Sequence, residues 1–502
     1  RDHGRDVPGH QGAQPRRRGH HEHQRLKGET SRKISSDDGP EPRLYRSGER
    51  EMSLPRFLIA APASGSGKTL ITCGILQALV NRGLKVASFK CGPDYIDPMF
   101  HSRIIGAKSA NLDRFFFQEN ILKYLLAKNS ADRDISVIEG VMGFYDGMGL
   151  TTTTASTYDV SQITQSPVVL VVGAKGASLS VLATIQGFLD FCPNNHIRGV
   201  ILNQCTAMTY SVLAKEIMTR FDGKVRPLGF LPTMPECSLE SRHLGLVTAA
   251  EVQGLREKLQ ILAEQAEQTI DLDGLLEMAE KALPISCDPV RFPRGKEAIR
   301  IAVARDNAFC FYYEDSLDAL REMGAELVSF SPLSDRELPA NTHGLYLGGG
   351  YPELYAQQLS ENTRMRSSVK AALEQGLPCI AECGGFMYLT ESIGGLPMVG
   401  HIPGKSFDTG KLTRFGYIHL KANEDTMLCK TGDKIAGHEF HHWDSEDSGG
   451  VFTAMKASGK TWPCVHATDR LYAGYPHFHF YANPDFAVNF YNTCLKEKHR
   501  YD

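Results

Sequence analysis

No apolar run in the 502-residue chain approaches the ~18 residues that a membrane-spanning helix needs, so no such helix is expected. No Cys-x-x-Cys pair occurs among the twelve cysteines. They stand singly, which argues against a disulfide framework or a zinc site and for free thiols in the reducing cytoplasm. A large net charge is also missing. At −3 it gives no argument for nucleic acid or an anionic membrane as partner. Residues 1–51 have hardly an aliphatic side chain and no apolar core that would make them a signal peptide. They are expected to be a disordered tail, or sequence ahead of a true start at Met52. Within them Arg16-Arg17-Arg18 beside His20, His21 and His23 reads as a solvated tail or as a basic or metal-binding patch. The remainder, in a chain 42% hydrophobic and 23% charged, has the length of two or three globular domains.

The first positive signal is Ala61-Pro62-Ala63-Ser64-Gly65-Ser66-Gly67-Lys68-Thr69. A short apolar strand, Arg56–Ala60, precedes it, and a helix periodicity over Leu70–Leu79 follows. Gly65 and Gly67 let the backbone curl so that N–H groups face phosphate oxygens. The next helix adds its positive end. Lys68 is placed to reach the β- and γ-phosphates and the Thr69 hydroxyl to ligate Mg²⁺, so this is read as a nucleotide site. Pro62 stands where the common pattern has its first glycine. The alternative, an ordinary glycine-rich turn, is disfavoured by the Gly-Lys-Thr closing it.

Four further strands are expected at 85–90, 135–139, 167–172 and 199–203. Their unbroken apolar runs are those of a parallel sheet covered on both faces. Asp94, Asp97, Glu139 and Asp146 follow strand ends, where open α/β sheets place ligands. Any one of them would serve as a turn or cap residue. Four on one rim with Lys68 can hold Mg²⁺ or position an attacking group. The fold class expected is α/β, with a phosphate-binding-loop domain over 53–250, a helical segment and linker over 251–298 (helices 253–269 and 272–283), and a second α/β domain over 299–498.

In that second domain Cys379–Glu382 belongs to a strand that runs into Cys383-Gly384-Gly385 and then a helix. A cysteine on such a turn is a nucleophile elbow, activated by the helix N-terminus. Cys73, Cys192 and Cys379 are read as small buried hydrophobes instead. Gly348-Gly349-Gly350 can present bare N–H groups, so Gly349, Gly350 and Gly384 are the candidate donors for an oxyanion and for glutamine. His477 and His479 alternate along a strand, so one of them faces the cysteine, and His477 is favoured as the base. The His438, His441 and His442 cluster has neither zincin nor finger spacing. It is read as substrate or interdomain contact, with a metal as the alternative.

Six motifs in order carry a resemblance: A-P-A-S-G-S-G-K-T at 61–69, K-C-G-P-D-Y-I-D-P-M-F-H at 90–101, V-I-E-G-V-M-G-F-Y-D-G at 137–147, L-G-G-G-Y-P-E at 347–353, A-E-C-G-G-F-M-Y-L at 381–389 and G-H-E-F-H at 437–441. From Leu54 to about Leu495 the chain resembles the cobyrinic acid a,c-diamide synthase family, glutamine-dependent amidotransferases of corrin biosynthesis. The resemblance implies a dethiobiotin synthetase-like domain followed by a class I glutaminase domain. It implies Mg²⁺ ligation by Thr69, Asp94 or Asp97, and Glu139, adenine recognition by Asn203, and Cys383 as nucleophile. The reaction implied is ATP-driven amidation of the a and c acetates of cobyrinic acid through acyl phosphates; Asp146, a full loop beyond its strand end, is read as positioning the substrate. Cobyrinic acid, L-glutamine and ATP are then the partners, and a homodimer stays open. Two rivals are a sister enzyme acting on hydrogenobyrinic acid or nickel-sirohydrochlorin, and a ParA/MinD-like ATPase switch. The switch carries a signature lysine where this chain has Ala63.

Overall fold

Parallel strands buried on both faces build the first half of the chain. They are β1 (Arg56–Ala60), β2 (Val86–Cys91), β3 (Lys108–Leu112), β4 (Ile135–Glu139), β5 (Val168–Gly173), β6 (Ile197–Asn203) and β7 (Arg226–Leu231). Their order in the sheet is β3-β2-β4-β1-β5-β6-β7, and every pairing is parallel. The structure, a computed structural model, describes residues 50–149, 151–237, 249–295 and 297–501. Of the tail expected over 1–51, residues 1–49, with the arginine and histidine cluster, lie outside the described residues. β1 sits at the centre, so the loop after it opens at the middle of the carboxyl edge, where ligands of such sheets bind.

Helix α1 (Lys68–Asn81) packs back on the sheet. Helix α2 (Ala249–Thr269) lies along it, so closely that a methyl group on Gly74 would come within 3.0 Å of Leu262 Cγ. Leu259, Leu262, Ala263 and Ala266 share one core with Ile71, Ile75 and the β1 residues Phe57 and Ile59. The region expected to be a separate helical segment thus completes one face of the first domain. Helix α3 (Leu272–Glu280) ends with Lys281 as cap, short of the expected Leu283, which is exposed. The linker after it is not bare. Ile285–Cys287 pairs antiparallel with Arg50–Met52, so Arg50 and Glu51 belong to the fold rather than to the tail. Backbone pairing holds them, which their polar side chains do not advertise.

The second half has a mainly parallel sheet of β8 (Ile299–Ala304), β9 (Ala325–Phe330), β10 (Gly344–Leu347), β11 (Cys379–Glu382), β12 (His466–Ala467) and β13 (Leu471–Gly474), ordered β9-β8-β10-β11-β13-β12. Beside it stands an antiparallel sheet ordered Thr461–Cys464, Phe452–Met455, Arg414–Ala422, Lys434–His441, His477–Phe478. β11 and β13 pair with Glu382 opposite Gly474. The chain leaving Glu382 and the chain leaving Gly474 therefore emerge side by side, one carrying Cys383 and the other His477.

The described residues all belong to one compact unit. Phe115, Phe116 and Phe117 from the first half meet Tyr417, Tyr313, His438 and His479 from the second. The Tyr417 hydroxyl donates to Asp113 Oδ2 at 2.9 Å. No helix among the described residues is long and apolar enough to cross a membrane.

Candidate active site

In the loop after β1, Gly65 and Gly67 have φ of 79° and 92°, angles that cost a side-chain-bearing residue strain. Gly67 also has no room for a Cβ, which would lie 2.1 Å from Asn203 Nδ2. Asn203, at the end of β6, donates to Ser66 O at 2.9 Å and so clasps the loop. Lys68 reaches across to Met142 O, and burial together with Lys90 lowers its pKa. Thr69 Oγ1 donates to Glu139 Oε1 at 2.7 Å.

Glu139 is fully buried at the end of β4. Lys90, from β2, lies 2.7 Å from its Oε1 and 2.5 Å from Asp97 Oδ2. This ammonium opposes the burial that would neutralise it, and its two carboxylates hold its pKa up. Burial disfavours charge on Asp97 too, but Lys90 prevails and keeps that carboxyl low. Asp94 fares differently. Burial, reinforced by Asp97, lifts it to about 6, and its Oδ1 accepts from the Ile96 and Asp97 N–H groups. Asp146 accepts from Gly143 N at 2.9 Å and shapes the loop that carries Met142.

Whether these residues suit Mg²⁺ can be read from the donors. Glu139 Oε2 is buried and, among the described residues, has no hydrogen-bond partner. No group of three or more His, Cys, Asp or Glu among the described residues is arranged to hold a metal alone. Mg²⁺ takes one or two protein carboxylates and completes its shell with phosphate oxygens and water. The set fits an ion arriving with nucleotide rather than one held by protein alone.

In the second half Cys383 has φ of 48° and ψ of −103°, a strained conformation for a non-glycine residue. The strain is held by pairing on both sides, Cys383 N donating to Gly474 O at 2.7 Å and Met387 N to Cys383 O at 2.9 Å. Crowding explains the glycines around it. A Cβ on Gly349 would lie 2.5 Å from His477 Cε1, one on Gly384 2.8 Å from Pro352 Cδ, and one on Gly350 2.2 Å from Ala308 O. His477 is buried, and its Nδ1 lies 3.2 Å from Glu382 Oε2. Burial works against its charge, but Cys383 and Glu382 outweigh that and raise it to about 10. Burial pushes the Glu382 carboxyl up, with His477 and Tyr346 as its partners. Cys383, His477 and Glu382 thus lie in the order in which a nucleophile, a base and an orienting carboxylate would stand.

His479 points elsewhere. It caps the turn at Tyr481 N, packs on Phe117 and Tyr313, and burial drives its pKa to about 3. Of the three cysteines read as buried hydrophobes, Cys73 and Cys379 are buried, whereas Cys192, on extended backbone just past its helix, is only partly buried. His438 contacts Tyr313 and His477, and His441 stacks on Tyr475. Sequence reasoning missed the roles of Glu382 and Lys90. A carboxylate just before the nucleophile, and a lysine one residue from the end of a buried strand, were the available signals.

Two family descriptions match the chain: "CobQ/CobB/MinD/ParA nucleotide binding domain" over residues 57–247 and "CobB/CobQ-like glutamine amidotransferase domain" over 300–485. Among curated proteins, the chain is similar to cobyrinate a,c-diamide synthase of Clostridium acetobutylicum, 41% identical over 435 residues that cover 86% of this chain and 98% of that protein. The enzyme of the same name from Listeria innocua is 41% identical over 86% of this chain and 97% of its own length. That from Thermoplasma volcanium is 39% identical over 89% and 98%.

Proposed function

The chain belongs to the cobyrinate a,c-diamide synthase family, and on that premise we propose that it amidates the a and c carboxylates of cobyrinic acid at the expense of ATP and glutamine. It is a glutamine-dependent amide-forming ligase with an ATP-using nucleotide-binding domain. The observation that carries this reading is the presence on one chain of a Cys383–His477–Glu382 site and a phosphate-binding loop whose Thr69 hydrogen-bonds Glu139 while its Lys68 reaches Met142 O.

His477 takes the Cys383 thiol proton and the sulfur attacks the carboxamide carbon of glutamine. N–H groups around Gly349, Gly350 and Gly384 receive the oxyanion. His477 gives its proton to the departing ammonia, then deprotonates the water that releases glutamate from the thioester. In the other half, a substrate carboxylate attacks the γ-phosphorus of ATP and ADP leaves. Ammonia then attacks the acyl phosphate carbon and phosphate departs. Phosphorylation is needed because a carboxylate is a poor electrophile. Lys68 draws charge off the transferring group, Asn203 contacts the adenine side, and Asp146 positions the substrate. Thr69 and Glu139, with Asp94 or Asp97, would hold Mg²⁺, which supplies neutralising charge to the phosphates when bound. A reaction consuming ATP and glutamine belongs in the cytoplasm.

The test presents purified protein with cobyrinic acid, hydrogenobyrinic acid or nickel-sirohydrochlorin, each with ATP, Mg²⁺ and glutamine, and reads products by mass spectrometry. The expected result is a diamide from cobyrinic acid with the highest kcat/KM. Preference for either other tetrapyrrole would assign the chain to a sister activity.

A further inference from the structure

We propose that Tyr95 and Tyr313 are positioning residues for His477, through which the loop bearing Asp94 and Asp97 sets the rate of glutamine hydrolysis; this rests on the amidotransferase reading above. The loop leaves β2 at Gly92 and crosses into the other half of the molecule. Tyr95 is buried there, its ring stacked on Phe311 at 5.0 Å and lying 4.5 Å from Tyr313, 5.8 Å from His438 and 5.3 Å from His477. All four partners come from the glutaminase half. Phe311 is itself paired with Gly349, the glycine pressed against His477.

A second connection runs beside the first. The Tyr313 hydroxyl lies 3.0 Å from His438 Nε2 and donates to Pro93 O at 3.3 Å. A phenol has one proton to give and can also accept. Donation to Pro93 therefore leaves it accepting from His438 Nε2–H. Burial keeps His438 neutral, which suits that tautomer. Its ring stacks on His477 at 5.0 Å and 19°. His477 is thus held at Nδ1 by Glu382 and across its ring by His438, and Tyr95 packs against it from the first domain.

The same loop grips the nucleotide side. Asp94 fixes the backbone of 96–97 and Asp97 pairs with Lys90, which pairs with Glu139. Residues 94 and 95 are adjacent, so a shift of Asp94 is carried to Tyr95 covalently. The Tyr95 hydroxyl lies near that of Tyr313 but makes no hydrogen bond of ordinary length and angle among the described residues. Its ring does the positioning, whereas Tyr313 works through its hydroxyl.

The two tyrosines therefore respond oppositely to loss of the hydroxyl alone. Glutamine hydrolysis without any acceptor, and amidation of cobyrinic acid driven by ammonium chloride, are measured on Tyr313→Phe, Tyr95→Phe and Tyr95→Ala in the full chain, with thermal melting on each. Tyr313→Phe and Tyr95→Ala should lower kcat for glutamine hydrolysis by roughly ten-fold or more, the scale of effect that follows when a single buried interaction is removed. The KM for glutamine should stay within roughly two-fold, because groups that orient the base are not groups that bind substrate. Tyr95→Phe should behave as wild type, and ammonia-driven amidation by Tyr313→Phe should be intact. The proposal is overturned if Tyr313→Phe leaves hydrolysis unchanged, if it lowers both activities together with the melting temperature, or if Tyr95→Phe is as impaired as Tyr95→Ala. Hydrolysis needs no corrinoid, so failure of cobyrinic acid as acceptor would sink the substrate assignment and leave the test of the tyrosines standing.

Discussion

Glu382→Gln removes a charge from the glutaminase site while keeping the shape of the side chain. Its carboxylate lies 3.2 Å from His477 Nδ1. At that distance, with an effective dielectric constant of about 20, a full ion pair interacts by about 5 kcal/mol. Removing one partner of a buried pair costs about 3–5 kcal/mol in practice, because the other is left uncompensated. If the imidazolium is formed on the way to releasing ammonia, kcat for glutamine hydrolysis should fall by roughly two to four powers of ten. Ammonia-driven amidation should be unaffected. The pH dependence provides a second reading. Folded His477 holds its proton up to about 10 against an ordinary 6.5. Between those values the folded chain binds the extra proton, so the stabilisation that Cys383 and, after it, Glu382 give the imidazolium is full below 6.5 and is lost as the pH rises toward about 10. Without the carboxylate the window narrows. The melting temperature deficit of the variant should therefore be largest near neutral pH and shrink in alkali. A variant with wild-type hydrolysis, or a deficit that grows with pH, would refute the assignment of Glu382.

Other expectations follow from the same geometry. Lys90→Met leaves Glu139 and Asp97 buried without their shared cation, so the folded state should lose about 3–5 kcal/mol, seen as a lowered denaturation midpoint; an unchanged midpoint would mean that the two carboxylates are solvated or protonated. Glu139→Gln should depress ATP-driven turnover and be partly rescued by raised Mg²⁺, while Asp146→Asn should leave ATP affinity near wild type and slow amidation. Equal loss of ATP affinity in both would remove the distinction. Asp113, lifted by burial to about 6, binds a proton more readily folded than unfolded. It therefore adds stability below 3.8 that is lost as pH rises to about 6. Asp113→Asn is spared that ionisation, so its melting temperature relative to wild type should rise across this interval.

Local patterns carried most of what could be read without coordinates. The strands Arg56–Ala60, Ile135–Glu139 and Ile299–Ala304 are contiguous apolar runs bounded by turn residues. Gly65, Gly67 and Lys68, and Cys383 with its glycines, are local motifs in which chemistry and backbone demand coincide. β3 is illegible as a strand because Lys108-Ser109-Ala110-Asn111-Leu112 is polar along half its length, and β7 because Pro227 and Gly229 interrupt it. The role of Glu382 depends on the pairing of β11 with β13, about ninety positions apart in sequence. Lys90 is legible only once β2 and β4 are known to be neighbours. The meeting of Tyr95 with His477 needs two domains to be docked, and no periodicity within either one reports that. The alternation of His477 and His479 did carry over in part, since the two rings point to different partners. The strand itself ends at Phe478.

The central claim is that nitrogen released at Cys383 is joined to a carboxylate activated in the other half of the same chain. The most direct measurement follows amide-nitrogen-labelled glutamine into product with wild type and Cys383→Ala, using cobyrinic acid, ATP and Mg²⁺ in the presence of unlabelled ammonium chloride. Wild type should form a diamide carrying the label and release ADP in step with amide formation. Cys383→Ala should form the same diamide from ammonium alone, without label. Label in the product of the variant, or failure of ammonium to support it while ATP still binds, would contradict the division of labour between the two halves.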